Sequence, residues 1–595
     1  MNKKNYVAVA TLAFAMLTSC AGQKEAKSTS GIDLANMDTT VSAGTDFFRY
    51  ACGGWNDAHP LTAEYSRYGT FDELFENSQK QLRELIEGLA AQKNNQAGSA
   101  AQKIGDLYNM AMDSVTLNKQ GAEPVKAMLD KIAGMKDKSE IVPMMTEMAH
   151  IGIGTYFHSY VYADPKNSSL NIFQMGQGGI NLGEKEYYLD TDSITQNIRE
   201  QYKLYIGKLF QLAGFSEADA QQKVADVMEL ETAIAKVSRS ATELRDPEAN
   251  YHKMSFDELK KTIAGIDWDA YMKGLGIQAP AELNVEQVEP IQEVARLMNT
   301  LPLSKHVSYL EYNLLDAAAS CLSDDFVAAR FDFYGKVLSG RQVNQPRWKR
   351  AVNSVNGMLG ELVGEMYVEK YFPAAAKERM VKLVKNLQTA LGERIDAQEW
   401  MSDSTKIRAH EKLATFHVKV GYPDKWKDYS KLEIKNDSYW ANVCRASEWG
   451  FNDMYSRIGK PVDKDEWLMT PQTVNAYYNP STNEICFPAA ILQPPFFNME
   501  ADDAANYGAI GVVIGHEMTH GFDHQGRQFD KDGNLTDWWA PGDADRFKER
   551  AQVMVDFFNK IEVLPGLQAN GELTLGENLA DHGGLNVAYL AFQNA

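Results

Sequence analysis

The chain has 595 residues, too many for one ordinary core, and a prior of roughly 100–200 residues per domain predicts two to four domains. Apolar residues make up 44% and charged residues 24% of the chain, which excludes a disordered or collagen-like protein. Because 80 acidic residues outweigh 60 basic ones, the net charge is −20, and we expect no nucleic-acid partner.

The N-terminus has the pattern of an export signal. Lys3 and Lys4 precede the apolar residues 6–17, a stretch that is too short to cross a bilayer, which takes about 20 residues. The Leu-Thr-Ser-Cys that follows resembles a bacterial lipobox, with cleavage before Cys20 and a lipid on its thiol. We therefore predict a lipoprotein signal peptide over residues 1–19. A plain secretory signal with an incidental cysteine is the alternative.

Residues 20–40 are polar and predict a tether, and no later segment has the pattern of a membrane span. We expect a lipid-anchored protein of the bacterial cell envelope, on its periplasmic or cell-surface face, that reaches the membrane through Cys20. The other four cysteines are scattered and leave both the disulfide pairing and the oligomeric state open: Cys52, Cys321, Cys444 and Cys486.

The middle of the chain has helical patterns. Thr70 with Glu73, and Ser216 with Asp219, predict capping boxes ahead of apolar residues at helical spacing. A long amphipathic pattern covers 379–400, whereas 474–490 predicts two short strands around Asn479 to Asn483. We therefore predict a helical region over 41–421 and a mixed α/β region over 422–595, a mainly α fold with a small α+β part.

The sequence His516-Glu517-Met518-Thr519-His520 is an H-E-x-x-H motif. Two histidines one turn apart lie on one helix face, so both imidazoles can reach one ion, and the glutamate between them projects beside its open position. With 11 histidines in the chain, the motif is expected by chance on the order of 0.01 times. A metal-free buried histidine pair is the less favoured interpretation.

A zinc peptidase needs a third protein ligand. The metzincin pattern requires Gly at 523 and His at 526, but the chain has Asp523 and Gly526, so that class is excluded. His524 is a weak alternative because it would have to distort the helix to converge on the ion. Glu577 and Asp581 are better placed, since they are spaced i and i+4 as a ligand and its supporting carboxylate would be.

Short motifs also occur in order along nearly the whole chain. They are YACGGW (50–55), SRYGTF (66–71), PRW (346–348), GYP (421–423), NAYY (475–478), FPA (487–489), QPPFF (493–497), the stretch 516–523 and the stretch 577–581. Together they resemble the neprilysin family of zinc metallopeptidases, including its bacterial oligopeptidase members. The resemblance implies two lobes, a zincin-like catalytic lobe capped by a large helical domain, with residues near 41–75 packing on the catalytic lobe.

The resemblance also implies the roles of individual residues. His516, His520 and Glu577 would hold one Zn²⁺ ion, Glu517 would activate water, and Asp581 and Asp523 would orient the imidazoles. Asn475 and Ala476 would bind the substrate backbone from an edge strand, and Arg67 would bind the free carboxylate of short substrates. An apolar S1′ pocket would be lined by Phe71, Ile491, Phe496, Val512 and Val513. Core packing of these five residues and a surface ion pair for Arg67 are the alternatives.

The resemblance further implies several dozen more residues after position 595, with a His that stabilises the oxyanion and an Arg that organises the site. We therefore expect the catalytic region to be incomplete at its C-terminus. The leading hypothesis is a zinc endopeptidase that cleaves small peptides on the amino side of bulky hydrophobic residues. The alternatives are a catalytically weak or silent surface lipoprotein that binds peptides or host ligands and, less favoured, a thermolysin-like protease for folded proteins.

Overall fold

The computed structural model describes residues 30–595, so the predicted signal peptide, Cys20 and the first part of the predicted tether, residues 20–29, lie outside the described residues. The α-helices are Phe47–Ala58, Thr70–Ala90, Ala100–Met112, Ser114–Gln120, Glu123–Ala133, Ile141–His150, Glu186–Leu189, Ser193–Leu212, Glu217–Ala235, Phe256–Thr262, Trp268–Gly274, Val288–Thr300, Leu303–Ala318, Asp324–Arg330, Arg347–Met358, Gly360–Tyr371, Ala374–Asp396, Asp403–Ala414, Tyr439–Tyr455, Asp503–Gly508, Ile510–His520, Asp543–Phe558 and Leu575–Asn594. A π-helical segment, Phe331–Leu338, continues from the helix Asp324–Arg330. The predicted mainly α fold is confirmed.

The strands are β1 Phe157–Asp164, β2 Asn167–Gln177, β3 Lys253–Ser255, β4 Glu282–Val285, β5 His417–Gly421, β6 Tyr477–Asn479, β7 Glu484–Pro488, β8 Glu562–Leu564 and β9 Leu567–Gln568. They form a four-stranded sheet, a three-stranded sheet and the β8–β9 hairpin. Within residues 30–595, no helix is long and apolar enough to cross a membrane.

One predicted helix start is confirmed and the other is wrong by one residue. Ser216 accepts a hydrogen bond from the Asp219 backbone N–H at 3.2 Å, which confirms it as the N-cap. The Asp219 carboxylate accepts from the Ser216 hydroxyl at 2.7 Å rather than from its backbone N–H, so the capping box itself is not formed. The helix Thr70–Ala90 instead has Gly69 as its N-cap, whose N–H donates to the Asp72 carboxylate at 2.9 Å. The capping carboxylate therefore lies one residue before Glu73, and Thr70 is already inside the helix.

The predicted helical region also contains a sheet that the sequence patterns did not indicate. Its strand order is β1-β2-β4-β3, with β2 and β4 parallel and the outer pairs antiparallel. Residues 171–176 of β2 are all buried, so the alternation that marks a half-exposed strand is absent there. Strands β3 and β4, of three and four residues, are too short to show a period.

The other sheet has three strands, in the order β5-β7-β6. Strands β6 and β7 confirm the two strands that were predicted around 479–483. Strand β5 pairs with β7 in parallel, His417 opposite Glu484, so the sheet extends across the boundary predicted after residue 421. Because β6 pairs only with β7, it is an edge of this sheet.

Two helices carry the predicted metal-site residues. We call Ile510–His520 the motif helix and Leu575–Asn594 the carboxylate helix. The long helix Ala374–Asp396 packs beside both: its Asn386 amide donates to the hydroxyl of Tyr507, just before the motif helix, at 2.7 Å. Asn594, at the end of the carboxylate helix, donates to Glu393 at 3.0 Å. The four described cysteines are all free thiols.

Candidate active site

The motif helix is held by an apolar face and presents its histidines on the other side. Ile510, Ile514 and Met518 are fully buried, whereas the side chains of His516 and His520 retain 19% and 18% of their exposure. The one-turn spacing brings the two Nε2 atoms to 3.0 Å from each other. Both imidazoles therefore point at one position.

The carboxylate helix brings Glu577 to the same position. Its Oε2 atom lies 3.4 Å from Nε2 of His516 and 3.7 Å from Nε2 of His520. In a tetrahedral zinc site with bonds of about 2.0–2.2 Å, neighbouring ligand atoms are separated by about 3.3–3.6 Å. The three measured separations bracket that value, so two imidazoles and one carboxylate fit a zinc ion without rearrangement.

Each imidazole has a carboxylate at its other ring nitrogen. Nδ1 of His516 lies 2.9 Å from Oδ1 of Asp581, and Nδ1 of His520 lies 2.7 Å from Oδ2 of Asp523. Burial alone would lower the pKa of His516, but hydrogen bonds with Asp581 and Glu577 outweigh it and raise the pKa to about 10. This surplus of negative charge favours a cation between the two rings.

The structure gives Asp523 and Asp581 different surroundings. The Asp523 side chain is 4% exposed, and its other oxygen accepts hydrogen bonds from the backbone N–H groups of Gln525 and Gly526 at 2.8 and 2.7 Å. Burial would raise the pKa of Asp523, but its hydrogen bond with His520 lowers the pKa below the usual range. Asp581 is 73% exposed and holds its imidazole from the second helix.

Glu517 lies beside the two imidazoles and is buried, with 7% of the residue exposed. It belongs to a cluster with His516 and His520 in which one ligand atom from each residue lies within 4.8 Å of the others. Burial raises the pKa of its carboxyl group, an effect that the neighbouring imidazoles oppose. A carboxylate in this position can accept a proton and release it again.

A glycine contact that we did not anticipate joins the two helices. A Cβ atom on Gly584 would lie 2.7 Å from the His516 backbone nitrogen, and one on Gly515 would lie 2.8 Å from the Gly584 carbonyl oxygen. A Cβ on Gly583 would lie 2.5 Å from Oγ1 of Thr519. The sequence signal that could have predicted this contact is the pair Gly583-Gly584 inside a helix. Each glycine there lowers helix stability by about 1 kcal/mol relative to alanine, so a pair of them indicates a close approach of another element.

Lys412 is a second residue that sequence reasoning missed. It is fully buried, and its Nζ donates hydrogen bonds to the carbonyl oxygens of Gly521, Gly526 and Phe529, each at 2.7 Å. These carbonyls belong to the loop that follows the motif helix and carries Asp523. Burial lowers the pKa of Lys412 to about 7. Its side chain thus fixes the loop that supports His520.

The residues expected to bind the substrate backbone lie at the edge of the three-stranded sheet. Asn475 and Ala476 directly precede the edge strand β6, Asn475 exposed and Ala476 buried. Arg67 is also exposed. Its side chain forms no ion pair with any residue in the described range, so the alternative of a surface ion pair has no support there.

The five apolar residues expected at the S1′ pocket do not share one environment. Phe71 is 47% exposed, and its ring centroid lies 4.6 Å from that of Phe496. Val512 and Val513 are partly exposed on the motif helix, whereas Ile491 is fully buried after β7. The exposed ring of Phe71 on the partly buried ring of Phe496 suits a binding surface, and the environment of Ile491 is that of a core residue.

His524 is the weak alternative for the third ligand. Its Nδ1 atom is buried and has no hydrogen-bond partner among residues 30–595. Burial lowers the pKa of this imidazole. It lies against Gly576, where a Cβ atom would be 3.1 Å from its Cε1.

Comparison with known proteins identifies the family. Models of peptidase family M13 match residues 43–423 and 475–595. Endothelin-converting enzyme 1 of Rattus norvegicus is 34% identical over 586 residues, which cover 94% of this chain and 75% of the rat protein. The zinc metalloprotease Zmp1 of Mycobacterium tuberculosis, in complex with an inhibitor, has 38% identity and a TM-score of 0.91, covering 95% of this chain and 86% of that one.

PepO of Lactobacillus rhamnosis HN001 has the same fold, with a TM-score of 0.83 at 24% identity over 90% of this chain and 85% of that chain. The family models cover both the helical region and the metal-site region, which agrees with ligand atoms spaced for zinc. The chain therefore belongs to peptidase family M13, the neprilysin family of zinc metalloendopeptidases.

Proposed function

We propose that this chain cleaves small peptides on the amino side of bulky hydrophobic residues, with His516, His520 and Glu577 as zinc ligands and Glu517 as general base. The observation that carries the proposal is the convergence of three ligand atoms, 3.0 to 3.7 Å apart, beside a buried carboxylate. Zinc supplies a Lewis acid, which polarises the scissile carbonyl and lowers the pKa of water.

Glu517 takes a proton from the attacking water and then delivers it to the departing amine. Its burial raises its pKa, which brings the carboxyl group closer to the working pH and makes the return of the proton easier. Asp581 and Asp523 hold the two imidazoles by their Nδ1 atoms and so keep both Nε2 atoms directed at the metal position.

The proposed substrate lies along the edge strand β6. Asn475 and Ala476 would bind its backbone, as an added strand does. Phe71 and Phe496, with Val512 and Val513, would contact a bulky side chain after the cleaved bond, and Arg67 would bind the carboxylate of short substrates. The helical region ahead of the site favours small peptides over folded proteins.

Glu517→Gln tests the mechanism because it keeps the size of the side chain and removes the base. We expect about one zinc per chain and a loss of kcat on the order of 10²–10⁴. Glu549→Gln, on the exposed side of the helix Asp543–Phe558, is the matched control. A fully active Glu517→Gln enzyme rejects the mechanism. Zinc at unit stoichiometry with an inactive wild type would favour the silent peptide-binding lipoprotein.

Substrate preference is tested with paired peptides. Peptides with Phe or Leu after the scissile bond should be cleaved faster than peptides with Gly or Asp there, and Phe496→Ala should reduce that preference. Arg67→Gln should raise KM for peptides with a free C-terminal carboxylate and leave amidated peptides unchanged. Equal cleavage of all peptides would refute the proposed pocket, and cleavage of intact casein at the same rate would favour a protease for folded proteins.

We also propose that a lipid on Cys20 anchors the protein in the bacterial cell envelope. The support is the sequence of residues 1–20: two lysines, an apolar stretch and Leu-Thr-Ser-Cys. Metabolic labelling with a fatty acid should mark the wild type and should fail in Cys20→Ser. A labelled Cys20→Ser protein, or an unlabelled wild type in the culture medium, would contradict the anchor.

A further inference from the structure

A cavity of about 430 Å³ lies in the helical region. It is lined by the π-helical segment Phe331–Leu338, the start of the helix Arg347–Met358, and residues from the helices Ala100–Met112 and Tyr439–Tyr455, and it is partly open to solvent. None of the zinc-site residues lines it. The proposed peptidase function therefore leaves this cavity without a role.

The charged residues that line the cavity are all arginines. They are Arg330, Arg341, Arg347 and Arg350, and no Asp or Glu is among the lining residues. The whole protein has a net charge of −20, so a cavity with only positive side chains is unusual for this chain. Such a cavity attracts anions.

Two of the four arginines are neutralised from outside the cavity. Arg330 pairs with Asp316 at 2.7 Å, and Arg347 forms an ion pair with Asp324. Among residues 30–595, no carboxylate forms an ion pair with Arg341 or Arg350. The cavity thus retains two guanidinium groups that form no ion pair within the described part of the chain.

The hydrogen bonds of Arg341 are also incomplete. Nε of Arg341 is buried and has no hydrogen-bond partner within the described residues. Arg350 donates through Nε to the Gln345 carbonyl oxygen at 3.2 Å. Burial and the charge of Arg347 lower the pKa of Arg350, and the Asp324 carboxylate, which pairs with Arg347, offsets this only in part. A buried donor that stays unsatisfied costs about 1–3 kcal/mol.

We propose that this cavity binds a small organic anion, with a phosphate or carboxylate group held between Arg341 and Arg350. A guanidinium group binds either oxyanion through two parallel hydrogen bonds. The walls also include Phe331, Tyr334 and Tyr439, which suit an apolar or aromatic body behind the charged group. The volume lies within the range of about 300–1,000 Å³ that is common for small-molecule sites.

The test measures binding of phenyl phosphate to the zinc-loaded enzyme by calorimetry. We expect one molecule per chain, weaker binding of inorganic phosphate, and no binding of benzyl alcohol, which lacks the charge. The double variant R341Q/R350Q should weaken phenyl phosphate by about tenfold or more, since it removes two charge-assisted donors. R341K/R350K, which keeps the charges, should retain part of the affinity.

The control R296Q/K126Q removes two exposed positive charges that already pair with Glu293 and Asp130, and should not alter binding. Citrate tests a carboxylate in place of the phosphate group. The proposal is overturned if no anion binds. It is also overturned if phenyl phosphate binds R341Q/R350Q as well as the wild type and inhibits peptide cleavage, because the ligand would then occupy the zinc site. Thermal melts of each variant show whether a loss of binding reflects unfolding.

Discussion

Gly584→Ala is the sharpest test of how the metal site is assembled. The new Cβ atom would lie 2.7 Å from both the His516 nitrogen and the Val512 carbonyl oxygen. Both are backbone atoms of the motif helix, so neither can rotate away as a side chain could. The motif helix and the carboxylate helix must therefore move apart.

The size of this movement follows from the contact distances. Ordinary contact begins at 3.4 Å, so the helices must separate by about 0.7 Å at the crossing. Overpacking of this kind costs about 1–3 kcal/mol of stability. Glu577 moves with the carboxylate helix and away from His516 and His520. A misplacement of about 1 Å can lower the rate about 10²-fold.

The assay compares Gly584→Ala with Gly450→Ala. Gly450 lies inside the helix Tyr439–Tyr455, and a Cβ atom there would meet nothing within 4 Å. Zinc affinity by chelator competition, kcat/KM on a quenched peptide and the melting temperature should all fall for Gly584→Ala. Gly450→Ala should be neutral or more stable by up to about 1 kcal/mol. Full activity and zinc affinity in Gly584→Ala would refute the idea that this glycine contact positions Glu577.

Three further perturbations address the supports of the fold and the site. Asp523→Asn and Asp581→Asn should each weaken zinc binding about 10- to 100-fold, as measured by chelator competition. Only Asp523→Asn should also lower the melting temperature, because Asp523 is buried and Asp581 is exposed. Lys412→Met should lower the melting temperature and kcat together, because three carbonyl oxygens lose their donor; an unchanged melt would contradict this. Glu231 is fully buried, and burial raises its pKa from 4.5 to about 7, so the folded state holds this proton more tightly than the unfolded state. The contribution of Glu231 to the free energy of unfolding should therefore fall by about 1–3 kcal/mol as the pH rises from 4.5 to 7. Over that pH range the melting temperature of Glu231→Gln should rise relative to that of the wild type. A difference in melting temperature that stays constant with pH would refute this prediction.

The sequence was most informative where chemistry requires fixed residue types at short spacing. The H-E-x-x-H spacing alone predicts that His516 and His520 share a helix face, and the i, i+4 spacing singled out Glu577 and Asp581. The pairing of the two segments could not be read from spacing. It depends on Gly515 and Gly584, which act through the absence of a side chain and leave no hydrophobic pattern.

The hydrophobic pattern of the sequence also failed to predict a strand that is buried on both faces. Strand β2 has six consecutive buried residues, so no alternation separates it from a helix core, and its sheet partners β3 and β4 are short. Lys412 was missed for a related reason, because a lysine in an amphipathic pattern predicts a solvent-exposed position. Only the three-dimensional structure shows that carbonyl oxygens surround its ammonium group.

The donor atoms of the metal position come from two separate stretches of chain. His516 and His520 are one turn apart, whereas Glu577 follows more than fifty residues later. An ion held by all three therefore closes a long loop, and such a cross-link restricts the unfolded chain in the way that a disulfide does. The described cysteines of this protein are all free, so zinc would be the cross-link between the motif helix and the carboxylate helix. Chelation would then release the carboxylate helix as well as abolish turnover, so that loss of the metal exposes this helix to proteolysis.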